Sequence, residues 1–80
     1  MLMNNNENAL ADYNKTLELK ENQIEALVGR SMIYYFMGDY KRAETDLIKS
    51  KSLGARNIPS DYIRNLTNAL QKSSLSSDKR

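Results

Sequence analysis

The chain has 80 residues, 40% of them apolar and 28% charged, with a formal net charge of +2. That length limits it to one small domain, of a size that buries about 60% of its unfolded surface. Cysteine and histidine are both absent, which excludes disulfides, thiol nucleophiles, thiolate metal sites and imidazole acid–base chemistry. The small positive charge is spread along the chain and gives no argument for nucleic acid. No run of about 20 apolar residues could cross a membrane. The opening MLMNNNENALADY has neither the basic nor the apolar region of a secretory signal. The expectation is a soluble, cytoplasmic protein that uses no cofactor and no metal.

Residues 1–6 are Asn-rich and read as a frayed end. Asn4 and Glu7 have the spacing of a capping box, which predicts a helix from near Asn5. Ala9, Leu10, Tyr13, Leu17 and Leu19 carry it at helical spacing to about Lys20. Asn22 and Glu25 repeat the capping pattern and predict a second helix, apolar on more than one face, that runs to Met37. Gly38 stops it, and Asp39 caps a third helix carrying Tyr40, Ala43, Leu47, Ile48 and Leu53. Gly54 closes that helix. Residues 56–60 then form a loop in which Pro59 sits at or just before the first turn of a fourth helix. Ile58, Tyr62, Ile63, Leu66, Ala69 and Leu70 give this last helix a one-sided stripe. Residues 73–80 lack periodicity and read as a disordered tail.

The chain also repeats internally. At an offset of 34 residues Ala9 falls on Ala43, Asp12 on Asp46, Lys15 on Lys49, Leu19 on Leu53, Ile24 on Ile58 and Arg30 on Arg64. These matches fall in phase with the helix boundaries, and a helix pair every 34 residues is the tetratricopeptide period. Ala26-Leu27, Ser31, Tyr34, Gly38-Asp39-Tyr40, Ala43, Leu47, Ser50 and Leu53 together resemble a tetratricopeptide repeat that starts at Ile24. In that pattern Ser31, Ala43 and Ser50 are the small residues where two helices touch, with Tyr34 and Leu47 the large ones beside them. Arg30 stands where leucine is usual, and Ala55 where the repeat commonly ends in proline. The resemblance implies an all-α, antiparallel array of about four helices, an α-solenoid fragment. It divides residues 7–72 into a half repeat (7–23), a full repeat (24–57) and a capping helix (58–72).

The same resemblance implies a non-catalytic protein–protein interaction module, a scaffold rather than an enzyme. Its partner, a protein or peptide segment, would lie in a groove lined by Glu25, Val28, Met32, Tyr35 and Phe36. The apolar character of Val28 and Met32 disfavours a carboxylate clamp and suits a hydrophobic segment. Met32, Tyr35 and Phe36 have a second reading, as ordinary core packed against the first and fourth helices. Ala9, Leu10, Tyr13 and Thr16 would line a seam on the first helix through which a second copy could complete the core, making the chain a homo-oligomer. Lys41, Arg42, Lys49, Lys51 and Arg56 give the third helix a basic side, interrupted by Glu44 and Asp46 and read as a solvated face. No P-loop, nucleophile elbow or metal-ligand spacing occurs.

Overall fold

Both helix stops in the middle of the chain are built the same way, and they set its architecture. In a computed structural model, backbone is described for residues 2–78 and side chains for residues 6–72. Gly38 and Gly54 take left-handed φ values of 85° and 102°, a region that glycine enters without steric penalty. Each closes a paired hydrogen-bond cap. Asp39 N–H reaches the Tyr34 carbonyl at 2.9 Å and Gly38 N–H the Tyr35 carbonyl at 3.0 Å. Ala55 and Gly54 repeat this on Ser50 and Lys51, both at 3.0 Å. These bonds satisfy carbonyls that the helix end leaves without partners.

The chain is all-helical, with four helices and, among the described residues, no strand: α1 (Leu2–Leu19), α2 (Ile24–Phe36), α3 (Tyr40–Ser52) and α4 (Ser60–Asp78). Short turns make neighbours antiparallel, and α1 packs on α2, α2 on α3, and α3 on α4. This is the arrangement of a helical-hairpin repeat fragment. No helix among the described residues is long and apolar enough to cross a membrane.

The predicted start signals fare unequally. Asp39 caps α3, its carboxylate accepting from Arg42 N–H at 3.4 Å. Asn22 does not cap α2. The cap position belongs to Gln23, whose carbonyl accepts from Leu27 N–H at 3.1 Å and whose side chain makes no capping bond; the Gln23 N–H closes the preceding turn on the Lys20 carbonyl at 3.2 Å. Asn22 is thereby used in the turn, the competing role of such residues. Asn4 lies inside α1, which is already helical at Leu2, so it is not the cap either. The expected frayed end and disordered tail fall largely outside the described residues, since no side chain is described for 1–5 or 73–80. The helical backbone itself continues past Lys72 to Asp78, with no glycine or proline to break its hydrogen-bond ladder.

Two apolar clusters hold the helices. Leu17, Ala26 and Leu27 join α1 to α2, with Tyr13 packed against them. Ala43, Leu47, Tyr62 and Leu66 join α3 to α4, with Met32, Tyr35, Ile58 and Ile63 around them. Leu27 and Leu66 are each 1% exposed, and burying such a side chain stabilises the fold by about 1.5–3 kcal/mol. The α1–α2 contact depends on Gly29. A Cβ there would lie 2.4 Å from Cζ of the Tyr13 ring and 2.8 Å from Cε1. One repeat later, Ile63 and Leu47 occupy the corresponding places, so a large–small pair is exchanged for two residues of middle size. Gly29→Ala should therefore lower stability in the native sequence by about 1 kcal/mol, the loss of ring packing exceeding alanine's gain in helix propensity. In a Tyr13→Ala background the same change should raise stability, and urea unfolding of the four proteins checks this reversal of sign.

Candidate functional site

The face of α2 predicted to line a groove is divided by α4. Met32 and Tyr35 are half-buried against the α3–α4 cluster. The Tyr35 ring meets Tyr62 edge-on at 5.6 Å between centroids, and it contacts Phe36 and Tyr40 at the same separation. Phe36 is left 67% exposed. Glu25 and Val28, two turns earlier, lie beyond the reach of α4 and line a cleft of about 550 Å³. The five predicted residues therefore do not form one surface. Met32 and Tyr35 serve the core, Phe36 stands at the far end of α2, and Glu25 and Val28 open on the cleft.

The other wall of the cleft is the linker between α3 and α4. Gly54, Ala55, Arg56, Asn57 and Ile58 face Ile24, Glu25, Val28 and Gly29 across it. The linker is held off the helical path by the left-handed Gly54 at one end and by Pro59 at the other, which disfavours helix in the residue before it. Ile24, Val28 and Ile58 supply apolar contact, and Glu25 and Arg56 place opposite charges at its rim. Sequence reasoning missed the linker as a lining element. The match of Ile24 with Ile58 was its signal, since the offset places those residues at the same point of successive repeats.

The predicted seam on α1 is partly closed by its own chain. Tyr13 is turned inward onto Gly29 and the α1–α2 cluster. Ala9, Leu10 and Thr16 are half-buried, with the Thr16 hydroxyl donating to the Asp12 carbonyl at 3.1 Å.

Polar contacts lock the middle of the molecule. Ser31, fully buried, donates its hydroxyl to the Ala43 carbonyl at 2.7 Å and accepts from the Tyr62 hydroxyl, which ties α4 to the same point. Arg30 donates to Asp46 through two nitrogens at 2.7 and 2.8 Å, and to the Asn14 side-chain oxygen at 2.9 Å. One guanidinium thus joins α1, α2 and α3. Asp46, expected to interrupt the basic side of α3, is only 4% exposed and does not share that face. The remaining basic side chains, Lys41, Arg42, Lys49, Lys51 and Arg56, are exposed. The guanidiniums of Arg30 and Arg42 stand over the Tyr34 ring, 5.7 and 5.9 Å from its centroid, a cation–π arrangement.

The hydrogen bonds to Asp46 hold the Arg30 guanidinium above its ordinary, already high pKa, so its charge persists at any working pH. Burial pushes the Tyr62 hydroxyl above its ordinary 10.0. The folded state thus retains that proton where the unfolded chain releases it, and stability falls as pH rises from about 10 through the raised value. Alkaline unfolding followed by circular dichroism should show this loss in the native protein and less of it in Tyr62→Phe.

Arg30→Leu should destabilise by about 2–3 kcal/mol, because it leaves the Asp46 carboxylate covered and unpaired. Adding Asp46→Ala should restore part of that loss, as measured by the shift in urea midpoint.

No family model matches the chain, and neither a curated protein nor a solved structure matches it.

Proposed function

We propose that the protein is a non-catalytic interaction module that binds a short segment of another protein in the cleft between α2 and the α3–α4 linker. The cleft is the observation that carries this reading. Its volume of about 550 Å³ falls within the range of small-ligand sites and takes one or two bulky apolar side chains. Ile24, Val28 and Ile58 suit an aliphatic or aromatic anchor. Glu25 and Arg56 suit a basic residue on one side of that anchor and an acidic one on the other. One wall is the first turns of α2 and the other a short linker whose two ends are set by the left-handed Gly54 and by Pro59, which limits the ordering that opposes binding. Composition points the same way, since a chain without histidine or cysteine lacks the side chains most used for nucleophilic and acid–base chemistry. The reading retains Glu25 and Val28 from the expected groove, adds Ile24, Arg56 and Ile58, and assigns Met32 and Tyr35 to packing. It also keeps the resemblance to tetratricopeptide repeats, whose first helices present binding surfaces.

Peptides selected by display against the folded 80-residue chain provide the test. They should carry an apolar anchor flanked by unlike charges and should shift the amide resonances of Ile24, Val28 and Ile58. Val28→Asp should weaken them about tenfold or more while leaving the thermal midpoint nearly unchanged, because the side chain is only half-buried. Resonance shifts confined to Phe36 and Met37 would overturn the assignment.

A further inference from the structure

The internal repeat places two charged residues where the Arg30–Asp46 pair stands, one repeat away in each direction. Adding 34 to Arg30 gives Arg64, on α4, and subtracting 34 from Asp46 gives Asp12, on α1. Arg30 and Asp46 are joined by two hydrogen bonds at the packed joint between α2 and α3. Arg64 and Asp12 are both exposed, and neither forms an ion pair among the described residues. In the repeat, α4 corresponds to α2 and α1 corresponds to α3. The chain therefore carries both halves of a second α2–α3-like joint, on helices that do not face one another within one copy.

We infer that the protein self-associates head to tail, α4 of one copy packing on α1 of the next as α2 packs on α3, with Arg64 of the first forked onto Asp12 of the second. The occupant is a second copy because the charge complementarity lies within this sequence, at the offset that relates its own buried pair. Neighbouring positions agree. Ala9 takes the place of Ala43, keeping a small residue at the closest approach, and Asn65 takes the place of Ser31, keeping a polar residue there but a larger one, which sets the two helices further apart. The joint is more polar than its internal counterpart, since Asn68 replaces Tyr34 and Asp61 replaces Leu27. A polar joint of this kind is weak, salt-sensitive and water-accessible. Each copy uses two different faces, so the contact is heterologous and propagates beyond a dimer. It leaves the cleft between α2 and the α3–α4 linker untouched and stands independently of the proposed peptide binding.

Sedimentation velocity from about 10 μM to about 1 mM, the range of a weak interface, tests this. The native chain should sediment faster as concentration rises, passing beyond a dimer, and the effect should shrink at high salt. Asp12→Arg and Arg64→Asp should each weaken association about tenfold or more, because each opposes like charges. An equimolar mixture of the two should recover it, because unlike charges again face each other at every joint. Because the chain has no cysteine, a second measurement is available. Under oxidation, Asp12→Cys mixed with Arg64→Cys should give the cross-linked heterodimer, and Asp12→Cys alone should not cross-link to itself. A native chain that stays monomeric over the whole range would overturn the inference. So would single variants that associate like the native chain, or Asp12→Cys cross-linking to itself as readily as to its counterpart, which is the signature of a symmetric α1–α1 dimer.

Discussion

Ser31 and Ala43 let two helices approach until a side-chain hydroxyl of one reaches a backbone carbonyl of the other, and most of the structure is arranged around that approach. With both residues fully buried, the Ser31 hydroxyl spends its single proton on the Ala43 carbonyl at 2.7 Å. Its lone pairs then accept from Tyr62. A larger residue at either position would force α2 and α3 apart and withdraw the acceptor that positions α4. The clusters on either side of this joint, Leu17–Ala26–Leu27 and Ala43–Leu47–Tyr62–Leu66, are small. Neither would specify the packing of the helices as narrowly as a buried chain of hydrogen bonds does.

Arg30 performs the same service with charge. Its guanidinium donates to three oxygens, two on Asp46 and one on Asn14, so a single side chain fixes three helices. A leucine there, as the resembled pattern has it, would pack well and leave Asp46 without a partner. The departure from pattern at Arg30 and the burial of Asp46 are therefore one fact seen from two helices. Burying an ion pair gives a modest net stabilisation, because desolvation opposes the attraction. What the pair provides is a defined register between α2 and α3, and the recurrence of both residues at an offset of 34 ties that register to the repeat.

The position of the cleft follows from where α4 stops covering α2. Tyr62 and Leu66 press on Met32 and Tyr35, so that half of the α2 face becomes core. The half near the N-terminus faces the α3–α4 linker instead and stays open, which places the cleft at Glu25 and Val28 and leaves Phe36 apart from it. A helical stripe read from sequence treats all five residues alike, since spacing fixes only the side of the helix on which they stand. How far along that side the next helix reaches depends on its crossing and on the linker that delivers it.

Local chemistry along the sequence specifies the four helices, their two glycine stops and the Asp39 cap, while the small residues at the α2–α3 joint are legible only through the resemblance to a repeat pattern. The first three are local because φ tolerance, capping oxygens and apolar periodicity act within a few residues of the chain. The sequence does not show that Asn22 belongs to a turn, because that turn is closed by the Gln23 N–H on the Lys20 carbonyl, which moves the cap position to Gln23. Nor does it determine that Gly29 makes room for the ring of Tyr13, that Asp46 is buried under Arg30, or that Met32 and Tyr35 pack on the core while Val28 lines the cleft. Those are decided between residues far apart in the chain, by contacts that exist only once the helices have packed.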